Sequence, residues 1–497
     1  MERHIFQERA SGVLLHISSL PGKYGIGSLG KEAYEFVDSL ARCGVRYWQI
    51  LPIVQTGFGD SPYQSVYTGS GNPYFIDLEL LVREKLLRKS EIIGSKYKGG
   101  LIDYAKLFTE RYKILRLAFS RFDIRQKDFS AFVQEGKFDG YALFQALKEK
   151  FGGISFDCWP TEYKFAQKRA LKKFRNENSR EILFWLFVQF EVFRQWKNLK
   201  AYANKRGVYI IGDIPLYPAY DSADVWLNPR LFKLNPDRSL KKVAGVPPDY
   251  FSATGQLWGN PVYRWHNHKK NNYEWWTERF RQAFELYDVV RVDHFRGFES
   301  YYEIDAGEQT AVRGAWKPGP KKELFEAVEK KLGKLNLIAE DLGALNRGVY
   351  RLMAETGYPG MKVLQFAFDG ERRNPHLPEY TTENSVCYTG THDNDTLYGF
   401  IKGLQGDKLR IFEESLNRVL KANCEVPAKG TAHMADAIIR LAMKSRARIA
   451  VVPVQDLLKL DSFARMNVPS KRDGNWRFRL KRPVSDKALS VLRRITQ

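Results

Sequence analysis

The stretch Val289-Val290-Arg291-Val292-Asp293-His294-Phe295-Arg296 begins as a β-branched run and ends in a cluster of polar groups. Short, near-continuous apolar runs are what strands buried on both faces of a parallel sheet require. Seven more follow the same pattern: Val13 to Ile17, Tyr47 to Ile53, Val208 to Ile214, Leu335 to Ile338, Val363 to Phe368, Val386 to Tyr388 and Ile449 to Val454. Most lead into helical periodicity. Eight buried strands with crossover helices predict an α/β fold, the (β/α)8 TIM barrel, whose plain form takes roughly 250 residues. The chain has 497 residues, so roughly half of it is insertion into a single barrel spanning 1–497.

The spacing of the runs locates the extra residues. Between Ile53 and Val208 lies a long excursion whose last part, Ser179 to Gly207, carries Leu183, Phe184, Phe187, Phe190, Phe193 and Trp196 at helical spacing. That part is expected to be the barrel's own crossover helix. The remainder, about 65–175, reads as a helical subdomain. A second excursion, about 216–280, is rich in Pro, Trp, Tyr and Asn with little periodicity, as lids and substrate loops are. The roughly 40 residues after the eighth run suffice for a closing loop and helix, so no C-terminal β-domain is expected.

Hydrophobic residues make up 44% and charged residues 27%, and no stretch reaches the roughly 18 to 20 apolar residues of a membrane span. Disordered, fibrous and membrane classes are thereby excluded, and no membrane partner is expected. Met1 to Arg9 holds no apolar core of a targeting signal, which points to the cytoplasm. Cys43, Cys158, Cys387 and Cys424 are too scattered for a metal knuckle or a disulfide framework and read as mostly buried thiols. The net charge of +22 suggests a polyanion. The Lys and Arg are dispersed, however, and even the densest run, Lys168-Arg169-Ala170-Leu171-Lys172-Lys173-Phe174-Arg175, reads as a solvated basic face, so no nucleic-acid partner is expected. Oligomeric state stays open.

In a barrel of this type the chemistry sits at the C-terminal ends of the strands. Four runs end there in acids: Gly212-Asp213-Ile214, Val292-Asp293-His294, Ala339-Glu340-Asp341 and Thr391-His392-Asp393-Asn394-Asp395. Converging carboxylates repel one another and resist desolvation, a cost that a purely structural site has little reason to bear. Such a cluster suits either a hard cation held by Asp293, Glu340 and Asp393 or glycoside chemistry, in which carboxylates serve as nucleophile, acid/base and transition-state support. Arg291 and His392 favour the second. A guanidinium two residues before Asp293 on one strand shares its face, keeps that carboxylate ionised and is unwelcome beside a metal.

The combination Arg291-Val292-Asp293-His294, Ala339-Glu340-Asp341 and His392-Asp393 resembles the α-amylase clan. Longer motifs narrow the likeness to the 4-α-glucanotransferases (amylomaltases or disproportionating enzymes) of glycoside hydrolase family 77. They are His16-Ile17-Ser18-Ser19-Leu20-Pro21-Gly22, Tyr47-Trp48-Gln49-Ile50-Leu51-Pro52, Gly59-Asp60-Ser61-Pro62-Tyr63-Gln64, Gly71-Asn72-Pro73-Tyr74, Asp221-Ser222-Ala223-Asp224-Val225-Trp226, Gly245-Val246-Pro247-Pro248-Asp249-Tyr250-Phe251 and Gly255-Gln256-Leu257-Trp258-Gly259-Asn260-Pro261. The likeness runs from about residue 11 to 480.

The resemblance implies that Asp293 is the nucleophile, Glu340 the general acid/base and Asp393 the transition-state stabiliser. It implies that Tyr63, Asp213, Arg291 and His392 hold the glucose ring whose bond breaks, with Ser61, Gln256, Trp258, Asn260 and His294 as further substrate contacts; Asp249, beside Tyr250, either bonds a sugar hydroxyl, the favoured reading, or caps the loop. Tyr250 and Phe251 would fold over the donor strand, their aromatic faces suiting the apolar faces of glucose while water is excluded. No metal or organic cofactor is implied. The activity implied is retaining transfer of α-1,4-glucan segments from maltooligosaccharide, starch or glycogen donors to the 4-OH of glucose or glucan acceptors, through a glycosyl-Asp intermediate. An α-amylase-like hydrolase, with water as acceptor, is the alternative. Two departures stand out: Phe58 replaces a Tyr of several relatives, which removes a hydroxyl from a surface glucan contact, and Ser470 interrupts the usual Asn-hydrophobic-Pro-Gly-Thr turn, which bears on acceptor preference.

Overall fold

The computed structural model describes residues 8–493, apart from residues 58, 98, 249–251, 344, 470 and 472. In chain order the strands are β1 (Ala10–Leu14), β2 (Tyr47–Gln49), β3 (Tyr209–Ile214), β4 (Lys242–Val246), β5 (Gln256–Pro261), β6 (Val289–Val292), β7 (Ser300–Asp305), β8 (Gly314–Pro318), β9 (Leu337–Ala339), β10 (Gly360–Val363), β11 (Ser385–Tyr388) and β12 (Ile449–Pro453). Eight of them form one parallel sheet in the order β10-β11-β12-β1-β2-β3-β6-β9. The two ends of that order approach each other, since the Ala339 N–H donates to Pro359 O just before β10 at 2.9 Å. The sheet is thus a nearly closed (β/α)8 barrel, and its strands are buried almost throughout, which is why they carry no polar stripe.

Some strand limits differ from those expected. β1 occupies Ala10–Leu14 where Val13 to Ile17 was expected, because the small residues Ser11 and Gly12 pair with β12 and β2. A Cβ on Gly12 would stand 3.0 Å from Tyr47 Cβ, so closeness between strands, not bulk, marks this end. Ile17–Ser19 forms a 3-10 turn. β10 is Gly360–Val363, and the apolar run beyond it bends into the 3-10 turn Leu364–Phe366. The extended part of the Tyr47 to Ile53 run ends at Gln49.

The helix Ser179–Lys205 runs between the barrel and the helices that precede it, which explains its apolar circumference. Gln189 accepts from Gly71 N at 2.7 Å and donates to Gly71 O at 3.1 Å, while Gln195 accepts from Asp77 N at 2.8 Å. These buried amides tie the loop beyond β2 to the helix. Between residues 78 and 177 lie Leu78–Arg83, Lys89–Ile93, Tyr104–Arg121, Lys127–Gln134, Asp139–Lys150, Thr161–Lys164 and Lys168–Glu177, all helical.

A second sheet, antiparallel in the order β5-β4-β7-β8, was not signalled by periodicity. It draws strands from both sides of β6 and encloses a small core of Val243, Tyr302, Ile304 and Ala311. Its strands are short, β4 and β7 being mostly buried while β5 is partly and β8 wholly exposed, so their sequence lacks a regular alternation. The cysteines are free thiols, but only Cys43 and Cys387 are buried; Cys158 and Cys424 are exposed, which corrects the expectation for those two. Among the described residues no helix is long and apolar enough to cross a membrane.

Candidate active site

Arg291 lies at the centre of the barrel mouth, almost fully buried. Its register opposite Asp213 brings the two side chains together from β6 and β3, and Nη1 sits 2.6 Å from Asp213 Oδ2. The same Nη1 is 3.0 Å from Asp293 Oδ1, two residues along on the same face. Burial opposes the guanidinium charge, yet Asp213 and Asp293 hold it well above its ordinary range. Asp213 is raised to about 7 by burial, against the pull of Arg291. Tyr63 completes this corner by donating its hydroxyl to Asp213 Oδ2 at 2.9 Å.

Glu340 follows β9, one step beyond the pairing of Ala339 with Val292, and so stands next to Asp293. Its Oε1 accepts from Leu342 N and its Oε2 from His294 N, both at 2.7 Å. The chain turns sharply after Asp293, with His294 in the left-handed region at φ 52. Burial first, and the neighbouring Asp293 charge second, raise Glu340 to about 8, against the lowering effects of Arg291 and the two N–H bonds. Burial and the Asp293 charge thus both favour the protonated form of this carboxyl.

The third carboxylate comes from the loop after β11. Asp393 Oδ1 accepts from Asn467 Nδ2 at 2.6 Å and lies 3.3 Å from His392 Nε2. Arg465 fixes the backbone here by donating to Asp393 O at 2.7 Å and Asn467 O at 2.8 Å. Burial lowers the His392 imidazole below its ordinary value, which Asp393 opposes.

The remaining expected contacts form an outer ring. Gln256, Trp258 and Asn260 lie on β5, where left-handed Gly259 (φ 77) and an irregular register with β4 interrupt the alternation between Trp258 and Asn260. Trp258 Nε1 donates to Gln256 Oε1 at 3.1 Å, and its ring meets His294 edge-on at 4.8 Å. Asn260 accepts from Gln64 Nε2 at 3.0 Å and donates to Pro218 O at 2.9 Å. Ser61 Oγ accepts from the Tyr63 N–H at 3.2 Å, which makes it a support for Tyr63. Asp249, Tyr250, Phe251, Phe58 and Ser470 lie outside the described residues.

Sequence reasoning had not singled out Arg465, Asn467 or Trp476 for this site. Trp476 is buried, takes the left-handed φ of 63 and packs its ring 5.7 Å from Tyr63 and 5.9 Å from His392. The available signal was positional, because loops after a barrel strand converge on one mouth wherever they fall in the chain. Polar Asn467 after the eighth run fitted that rule.

A catalytic (β/α)8 barrel with its acids gathered where the strands end is the class that this fold and mouth define. The model of a family described as 4-alpha-glucanotransferase matches residues 15–485. A 4-alpha-glucanotransferase of Clostridium butyricum is 45% identical over 473 residues, 94% of this chain and 95% of that protein. One of Streptococcus pneumoniae serotype 4 is 45% identical over 483 residues, 95% and 94% of the two chains. Among solved structures, an amylomaltase from Streptococcus agalactiae in complex with acarbose superimposes with a TM-score of 0.92 at 38% identity, covering 98% of both chains. The chain belongs to the 4-alpha-glucanotransferases, glycoside hydrolase family 77, and is a glycosyl-transferring enzyme acting on α-1,4-glucans.

Proposed function

We propose that the enzyme moves α-1,4-glucan segments from maltooligosaccharide, starch or glycogen donors to the 4-OH of glucose or glucan acceptors by a retaining double displacement. Asp293 attacks the anomeric carbon, and Glu340 protonates the departing glycosidic oxygen and later takes the proton of the acceptor hydroxyl. Asp393 supports the oxocarbenium-like transition state. The observation that carries this reading is the division of labour between two adjacent carboxyls. Asp293 is ion-paired with the Arg291 guanidinium at 3.0 Å. Glu340, raised to about 8, keeps a proton to donate.

Asp213, Tyr63, Arg291 and His392 hold the reacting ring in this proposal, supported by their buried, mutually bonded arrangement. Trp258 and His294 offer aromatic faces beside it. Tyr250 and Phe251 cover the intermediate and exclude water, a role that rests on their sequence motif. Each transfer consumes one reducing end and leaves one. Maltotriose is therefore expected to yield glucose and a ladder of longer maltooligosaccharides with total reducing ends nearly constant. A steady rise in reducing ends without longer products makes the enzyme a hydrolase instead.

A further inference from the structure

Between Thr161 and Arg180 stand seven Lys and Arg against two acids, Glu162 and Glu177. The helix Lys168–Glu177 buries Phe174 against its neighbours and turns Lys168, Arg169, Lys172 and Lys173 to solvent. Lys173 faces Glu177 at 3.9 Å, and the inner Arg175 faces Asp139 at 4.0 Å. Lys168, Arg169 and Lys172 form no ion pair among the described residues. Three uncompensated cations on one exposed face, in a protein of net charge +22, set up a local positive field.

An aromatic platform adjoins this face. Phe165 is 37% exposed, with the Lys164 ammonium 6.0 Å and the Arg238 guanidinium 5.3 Å from its ring centre. The same segment is bonded to the loop that leaves β3, the strand bearing Asp213. Trp226 Nε1 donates to Tyr163 O at 2.9 Å, while Arg238 donates to Phe165 O at 3.2 Å and to Trp226 O at 2.8 Å. The segment that leads into the basic helix is therefore held by the excursion that follows β3.

We propose that Lys168, Arg169 and Lys172, with Phe165, form a docking surface for glucan chains carrying phosphate monoesters. The aromatic ring takes the apolar face of a glucose unit, and the cations take its phosphate dianion. Phosphoglucan is favoured over nucleic acid because a phosphate carried on the substrate polymer converts surface binding into a raised local concentration of glucan at the mouth. This rests on the α-glucan reading of the mouth, and turnover of neutral maltotriose tests that reading separately.

The experiment uses the full-length enzyme, a phosphorylated α-glucan and the same glucan after phosphatase treatment, with binding followed by affinity electrophoresis at low and raised salt. The phosphorylated form is expected to bind about tenfold more tightly at low salt, and the advantage fades as salt screens it. K168E/R169E/K172E removes the advantage and leaves maltotriose turnover at the parental rate. If charge reversal disturbs folding, K168A/R169A/K172A serves the same purpose. Equal binding of the two glucans, an advantage that survives in the variant, or an RNA of matched phosphate content that competes as well as the phosphoglucan each overturns the proposal.

Discussion

The rings of Tyr63 and His392 lie parallel, 5.1 Å apart and 15° from coplanar, although they come from loops 329 residues apart in the chain. Each also leans on Trp476. Stacking fixes both rings at once, so a change under one is felt by the other. Trp476→Leu is expected to lower kcat/KM on maltotriose by 10- to 100-fold, about 1.4–2.7 kcal/mol. Opening the stack also admits water to His392, relieving the burial that lowers its basicity, so the acid limb of the pH profile moves to higher pH. A variant with the parental profile and kcat limits Trp476 to a structural part.

In the proposed mechanism Glu340 must be protonated to release the leaving sugar, and its carboxyl is raised to about 8. Transfer is therefore expected to hold below that pH and to fall as pH rises through it, the proton being lost. Glu340→Gln removes this alkaline limb together with most activity on maltotriose. A fluoride leaving group needs little protonation. Given α-glucosyl fluoride, the same variant is expected to accumulate an adduct on Asp293 by mass spectrometry, and azide is expected to discharge it as the α-azide. Asp293→Asn forms no adduct and loses activity by a factor on the order of a thousand, about 4 kcal/mol. An adduct on another residue, or azide rescue giving α-product in the Asp293 variant, reverses the assignment.

Tyr250 and Phe251 are assigned to covering the donor and not to bond cleavage. Replacing both with Ala is expected to weaken donor use and to raise the ratio of hydrolysis to transfer, measured from reducing ends against product length. Parental donor affinity and ratio contradict the lid role.

Gln189 satisfies both backbone groups of Gly71 inside the protein. Gln189→Leu leaves a buried N–H and a buried C=O unpaired, at about 1–3 kcal/mol for each group. A clearly lower urea midpoint is expected, with transfer per folded molecule near the parental rate. An unchanged midpoint means that the loop finds other partners.

The barrel was legible because its strands are buried on both faces, and burial leaves an uninterrupted apolar signature such as Ile449–Pro453. It was misread where sterics and not hydrophobicity set the strand, as at Ser11 and Gly12, and where an apolar run continued into a turn, as at Leu364. The antiparallel sheet left no such trace, since β8 is exposed at every residue. Asp213, Asp293, Glu340 and Asp393 stood out because acids ending apolar runs are chemically conspicuous. Asn467 and Trp476 did not, because nothing local distinguishes an amide or an indole in a loop. Their meaning comes from contacts with residues far away in the chain.

The neighbouring Asp293 charge that helps to raise Glu340 is not constant through the proposed reaction. Once Asp293 is esterified to the sugar its charge is gone, while Arg291 remains beside the site. Glu340 then loses one of the influences that kept it protonated, and its affinity for a proton drops at the stage when it must collect one from the incoming hydroxyl. Breaking the ester restores the charge and the affinity together. In the proposed mechanism the glycosylation state of Asp293 thus sets the proton affinity of its neighbour, so that one carboxyl serves first as acid and then as base.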